Sequence, residues 1–197
     1  MKMKKKFRGV YDEKGERRSK QEEAEVARRP AVVMRHGRLS YNVAWQPLRC
    51  TVSDYMRDGT LALVSNEMDI RRCCSVLRQL RPHLEESAMV DQIVRQQAAG
   101  YLLAYVESDQ VIRSVAGFRY SENLAYGKFM YVDDLVTNSD DRSQGFGKLL
   151  FDWLVAAARE RGCEVLALDS GVQRFGAHRF YLVNRMSIMS YHFTLRL

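Results

Sequence analysis

One stretch constrains this chain more than any other: Thr137-Asn138-Ser139-Asp140-Asp141-Arg142-Ser143-Gln144-Gly145-Phe146-Gly147-Lys148-Leu149-Leu150. Before it, Lys128–Thr137 carries the Phe, Tyr and Val content of a strand. After it, Leu149, Leu150, Trp153, Leu154 and Ala157 recur at helical spacing, and Gly162 supplies a C-cap. The stretch therefore leaves a strand, crosses a polar loop at 138–144 and opens a helix over Gly145–Arg161. Glycines at such a junction let the main chain come close to a ligand. The unsatisfied N–H groups of the first helical turn, together with the helix dipole, attract anionic oxygens. Arg142 and Lys148 add positive charge beside them. On physical grounds this is a phosphate cradle.

Two common phosphate loops do not fit it. A nucleotide triphosphatase loop needs a glycine five positions before Gly147, where Arg142 stands, and a hydroxyl where Leu149 stands. A dinucleotide fingerprint needs a third glycine at Leu150 and a preceding βαβ unit, whereas the preceding chain reads as a β-meander.

The meander is predicted from period. Leu61–Val64 is a short strand after Gly59. Asn66 or Asp69 caps a helix whose apolar face is Ile70, Cys73, Cys74, Leu77 and Leu80, ended by Pro82. A second helix, Ser87–Ala99, carries Met89, Val90, Ile93 and Val94 and stops at Gly100. The strands Tyr101–Glu107 and Val111–Tyr120 flank a hairpin at Ser108-Asp109-Gln110. Beyond the long helix come a strand at Val165–Asp169 and a short helix at Ala177–Val183. A last strand is predicted where Tyr191, Phe193, Leu195 and Leu197 alternate. The expected fold class is α/β (α+β mixed): one domain with a central mixed, largely antiparallel twisted sheet flanked by helices.

Composition supports a globular chain, with 46% hydrophobic and 28% charged residues. The net charge of +7 belongs to the first third: residues 1–60 hold 15 Lys/Arg and 8 Asp/Glu, and the rest balances. Residues 1–58 are expected to be a basic, mostly disordered or loosely docked extension, with 59–197 the folded domain. Met56 is an alternative start. Acids interleaved among the bases dilute the positive field, so a nucleic-acid arm is the less favoured reading of this segment. No apolar run approaches the ~20 residues of a membrane helix, and no secretory signal is recognisable, so a cytoplasmic location is expected. Cys50, Cys73, Cys74 and Cys163 make no CxxC pair and the four His are scattered, so no metal site is expected.

Three motifs in order carry a resemblance. Arg142-Ser143-Gln144-Gly145-Phe146-Gly147 resembles the Arg/Gln-x-x-Gly-x-Gly/Ala motif of the GCN5-related N-acetyltransferases (GNAT). Tyr131–Thr137 looks like that family's fourth strand, and Ala177-His178-Arg179-Phe180-Tyr181-Leu182 like its short Phe-Tyr helix. The resemblance spans about residues 60–197. It implies acetyl-CoA as co-substrate, its pyrophosphate on the main chain of Arg142, Ser143, Gln144, Gly145, Phe146, Gly147 and Lys148. The pantetheine arm would pair along Leu135, Val136 and Thr137. Acetyl transfer to a primary amine of an unidentified acceptor, a small molecule or a protein, would then be direct. Oligomeric state stays open, with a homodimer one expectation.

Tyr181 aligns with the family's proton donor to the leaving thiolate; as a bare residue it also reads as a core tyrosine. Asp133 stands where the family often has an acid that binds the acceptor amine or relays its proton through water. It also reads as an ion-paired strand acid. Strict alternation puts Tyr131, Asp133 and Leu135 on one face and Met130, Val132, Asp134 and Val136 on the other, turning Asp134 away from the site. The two acids suggest a cationic acceptor. Two departures stand out: Arg174 occupies a position that is often Asn, and Asn184-Arg185-Met186 replaces Asn-Gly-Phe, which implies a strained or reshaped turn after Tyr181. A catalytically weakened CoA-binding module and a nucleic-acid-binding protein remain the alternatives.

Overall fold

A computed structural model describes residues 59–197; the expectations for residues 1–58, including Met56 and Cys50, lie outside the described residues. Strand β1 (Thr60–Leu63) leads into helix α1 (Glu67–Leu80). Asn66 is its cap: Oδ1 accepts from the Asp69 N–H at 3.0 Å, and the Asp69 carboxylate accepts from Asn66 Nδ2 at 3.0 Å. That reciprocal pair satisfies donors at the helix start. Helix α2 (Glu86–Ala98) buries Met89, Val90 and Ile93 and leaves Val94 exposed.

Strands β2 (Leu102–Ser108) and β3 (Val111–Asn123) are joined by two residues, Asp109 and Gln110, with φ of 53° and 63°. Two successive positive φ values give the hairpin turn whose twist matches its strands. Strand β4 (Gly127–Thr137), a short 3₁₀ turn (Ser139–Asp141), helix α3 (Phe146–Glu160), strand β5 (Val165–Leu168) and helix α4 (Phe175–Val183) complete the order. The sheet runs β1-β2-β3-β4-β5, antiparallel until β5 joins β4 in parallel. Helices α1 and α2 cover one face, packing Ile70, Cys73, Leu77 and Ile93 on Leu103 and Val115. Helix α3 covers the other, packing Phe146, Leu150 and Leu154 on Ala116, Phe118 and Met130. The mixed, helix-flanked sheet is the expected class.

Two expectations are corrected. Among the described residues there is no strand after β5: Tyr191, Phe193, Leu195 and Leu197 alternate as a strand would, yet all are exposed and unpaired. Alternation is a local pattern, and a strand also needs a facing partner. The second correction concerns β4. Gly117 pairs with Asp134 and Phe118 with Val132, so Asp133 is an extra residue, a β-bulge. A one-residue bulge flips the parity of everything beyond it. Met130 and Val132 therefore share the α3 side with Leu135, while Val136 packs toward α1 and α2.

Candidate active site

The bulge lies where the sheet opens. Pairing between β4 and β5 ends at Val132 and Leu168, but β4 continues to Thr137. Asp133–Thr137 therefore has no strand partner on its β5 side among the described residues. Unpaired N–H and C=O groups on such an edge are a ready template for an extended ligand.

The edge runs directly into the glycine loop. Gly145 caps α3 with φ of 94° and provides no side-chain cap hydrogen bond, leaving first-turn N–H groups to an outside acceptor. Ser143 also has a positive φ, 61°. Gly147 stands against β4, where an added Cβ would meet Thr137 Oγ1 at 2.7 Å. The loop is held from beneath by Asp141, which is only 5% exposed. Its Oδ1 accepts from Arg113 Nη1 and its Oδ2 from Asn138 Nδ2, both at 2.8 Å. Gln79 on α1 adds a bond to Asn138 Oδ1 at 2.8 Å and accepts from the Ser139 N–H at 2.9 Å. Arg142 is exposed and has no ion-pair partner among the described residues, whereas Lys148 bonds Asp152 Oδ1 at 2.6 Å. The positive charge expected from Lys148 is thus largely compensated.

Between β4 and α4 lies a cavity of about 110 Å³ lined by Val132, Asp133, Leu135, Leu168, Ser170 and Tyr181 among others. Helix α4 is set by edge-on contacts of Phe180 with Phe151 of α3 and with Tyr181 itself. The Tyr181 hydroxyl has no hydrogen-bond partner among the described residues. Burial pushes its pKa up, against a smaller opposing effect of Arg174, so the phenol keeps its proton at neutral pH. Ser170 Oγ is buried in the same cavity with no hydrogen-bond partner among the described residues. A buried hydroxyl without a partner costs about 1–3 kcal/mol, which a bound polar group would offset.

A second cavity, about 270 Å³, opens on the α1–α2 side and is lined by Leu77, Arg81, Met89, Tyr101, Asp133 and Asp134 among others. Asp133 and Arg81 line both cavities. Asp134 does not turn away as expected: its Oδ1 accepts from Arg81 Nε and its Oδ2 from the Tyr101 hydroxyl, both at 2.9 Å. Tyr101 reaches it only because residue 117 is glycine, since a Cβ there would fall 1.7 Å from the phenol oxygen. Asp133 Oδ2 accepts from Arg119 Nε at 2.9 Å, and its Oδ1 has no donor among the described residues. Among those residues no three His, Cys, Asp or Glu side chains gather as a metal-binding group.

The sequence model of the Acetyltransferase (GNAT) family matches residues 68–183, more than half of the chain. The chain belongs to the GNAT acetyltransferase family. An uncharacterised N-acetyltransferase of Bacillus subtilis (strain 168), YhdJ, is 32% identical over 107 residues, 54% of this chain and 75% of that protein. Among solved structures, a Trypanosoma brucei acetyltransferase matches with TM-score 0.59 at 21% identity, covering 71% of this chain and 100% of its own. An aminoglycoside N-acetyltransferase, AAC(6')-Iy, in complex with CoA matches with TM-score 0.61 at 14% identity, covering 72% and 97%. At these identities the structural likeness concerns the GNAT fold, and the family match makes the chain an acyltransferase.

The expected residues fall in two neighbouring groups: the loop 142–148 after the edge 135–137, and Tyr181 with Asp133 around the smaller cavity. Sequence reasoning passed over Arg81, Arg113, Asp141 and Ser170. Gly117, a glycine inside a strand, was the one local signal pointing to the Tyr101–Asp134 contact. The departure at Arg185 has a structural outcome. Its φ is 63°, and the bonds Met186 N–H to Tyr181 O and Arg185 N–H to Leu182 O, both 3.0 Å, close a Schellman end on a non-glycine residue. No helix among the described residues is long and apolar enough to cross a membrane.

Proposed function

We propose that this chain is an N-acetyltransferase that transfers the acetyl group of acetyl-CoA directly to a primary amine. The observation that carries this reading is the continuity of one binding surface. The unpartnered β4 edge at Leu135, Val136 and Thr137 leads into uncapped N–H groups at Gly145–Lys148. An extended arm with hydrogen-bonding amides suits the edge, and a diphosphate suits the helix start. The solved CoA complex with the same fold, that of AAC(6')-Iy, supports it.

When bound, acetyl-CoA supplies the activated acyl group. The chain's own residues do the rest. Main-chain N–H groups and Arg142 bind the diphosphate, and Ser170 Oγ takes a polar atom in the cleft. Asp133 Oδ1, open between the two cavities, receives the acceptor ammonium and passes its proton to water. Tyr181 delivers a proton to the departing sulfur, for which a phenol kept neutral by burial is suited. A hydroxyl with no hydrogen-bond partner among the described residues fits that role.

Two measurements test the reading. Acetyl-CoA at a hundred times a micromolar Kd raises stability by about 2.7 kcal/mol through linkage, visible as a higher Tm. Free CoA, quantified chromatographically, accumulates with an amine acceptor and not without one. A Tm that ignores acetyl-CoA would contradict the assignment.

A further inference from the structure

We infer that the larger cavity accepts a small zwitterion, an amino acid with an apolar side chain, rather than a polycation. This inference rests on the transferase reading above and concerns its acceptor.

The first ground is charge. The acids Asp133 and Asp134, which at the level of sequence suggest a cationic acceptor, are each matched by a guanidinium: Arg119 on Asp133 and Arg81 on Asp134, both at 2.9 Å. Two carboxylates against two guanidiniums leave no net negative charge for a polyamine or aminoglycoside. An acceptor that brings one ammonium must bring its own anion or leave a charge unpaired in a partly desolvated site, which is costly.

The second ground is the donor left over. Of the five N–H groups of Arg81, Nε–H goes to Asp134 and one Nη2–H goes to the main-chain oxygen of Asp133 at 3.1 Å. The other three have no acceptor among the described residues. A guanidinium with free N–H groups is suited to a carboxylate. It sits beside Asp133, whose open Oδ1 suits an ammonium, so amine and carboxylate are received on adjacent groups, as an α-amino acid presents them.

The third ground is size and wall. A cavity of about 270 Å³ suits a small acceptor. Leu77, Leu84, Met89 and Ile93 line it alongside His83, Gln92 and Gln96, and the four apolar residues would cover an apolar side chain.

The test uses the full chain with acetyl-CoA and reads free CoA by chromatography for methionine, methioninamide, glycine, spermidine and tobramycin. Methioninamide keeps the amine and side chain and lacks only the carboxylate. The expected result is a kcat/KM for methionine at least tenfold above methioninamide, above glycine, and above both polycations. In Arg81→Gln the preference for acid over amide collapses while the KM for acetyl-CoA holds. Should that variant fail to fold, the acid–amide comparison on the unaltered chain decides alone. Equal or better turnover of methioninamide, spermidine or tobramycin overturns the inference. So does an Arg81→Gln defect confined to acetyl-CoA, or no CoA release with methionine while acetyl-CoA still raises Tm. Absence of any acetyl-CoA effect on Tm overturns the transferase reading itself, and this inference with it.

Discussion

Gly147 and Thr137 hold the first turn of α3 against the end of β4: a Cβ on Gly147 would lie 2.7 Å from Thr137 Oγ1. Thr137 cannot swing aside freely, because its side chain is branched at Cβ and its Oγ1 is 3.1 Å from Ser114 Oγ. Gly147→Ala must therefore displace the helix start that carries the cradle. Overpacking of this kind costs about 1–3 kcal/mol. Affinity for acetyl-CoA should fall by about tenfold, equivalent to about 1.4 kcal/mol. In the double variant Gly147→Ala with Thr137→Ala the obstructing oxygen is gone, and part of the affinity should return. Calorimetry on both variants checks this, and no difference between them would contradict the contact.

The helices and the glycine loop were legible in the sequence because their determinants are local. Ile70, Cys73, Cys74 and Leu77 carry their own period, and Gly145 and Gly147 mark a turn by lacking side chains. The bulge at Asp133 was not legible, since it depends on which β3 residue faces β4, a matter of long-range pairing between Gly117 and Asp134. For the same reason Asp141 was only one residue of a polar loop in the sequence, although its partner Arg113 stands in a strand. The last strand fails in the opposite direction: Tyr191–Leu197 has the period and, among the described residues, no paired neighbour.

Tyr181→Phe should lower kcat by about a hundredfold or more, the usual scale of general-acid catalysis, with little change in the KM for acetyl-CoA. The pH profile fixes the sign. Burial raises the phenol pKa, so the folded protein keeps this proton above the ordinary value of about 10. Loss of kcat through its ionisation therefore belongs above about pH 10 and is missing from the variant. A loss of activity well below that pH, abolished by Tyr181→Phe, would contradict the assignment.

Arg185 adopts φ of 63° at a helix end where glycine is the usual residue. Arg185→Gly should remove that strain and stabilise the chain by up to about 1 kcal/mol, less the entropy glycine adds to the unfolded state. Thermal unfolding checks it; a lower Tm would show that the Arg185 side chain contributes more than its backbone costs.

Cys73 and Cys74 are fully buried, and burial pushes their thiols up to about 12 and about 11. Both should resist a thiol reagent at pH 8 in the folded protein and react once it is unfolded. For stability the direction follows from proton counts. Above the ordinary value of 9.0 the unfolded thiols lose protons that the folded ones keep, so unfolding is favoured as pH rises toward 12. Each thiol contributes a slope of about 1.4 kcal/mol per pH unit within its window. Cys73→Ala should flatten the alkaline decline, and an unchanged slope would contradict the burial.

The cradle is tested most directly by calorimetric titration of acetyl-CoA and of S-acetylpantetheine, which keeps the thioester arm and lacks the diphosphate. Acetyl-CoA should bind one-to-one with micromolar affinity, and S-acetylpantetheine at least a hundredfold more weakly, a difference of about 2.7 kcal/mol. Equal affinities, or no heat with either ligand, would contradict a diphosphate held by the main chain of Gly145–Lys148.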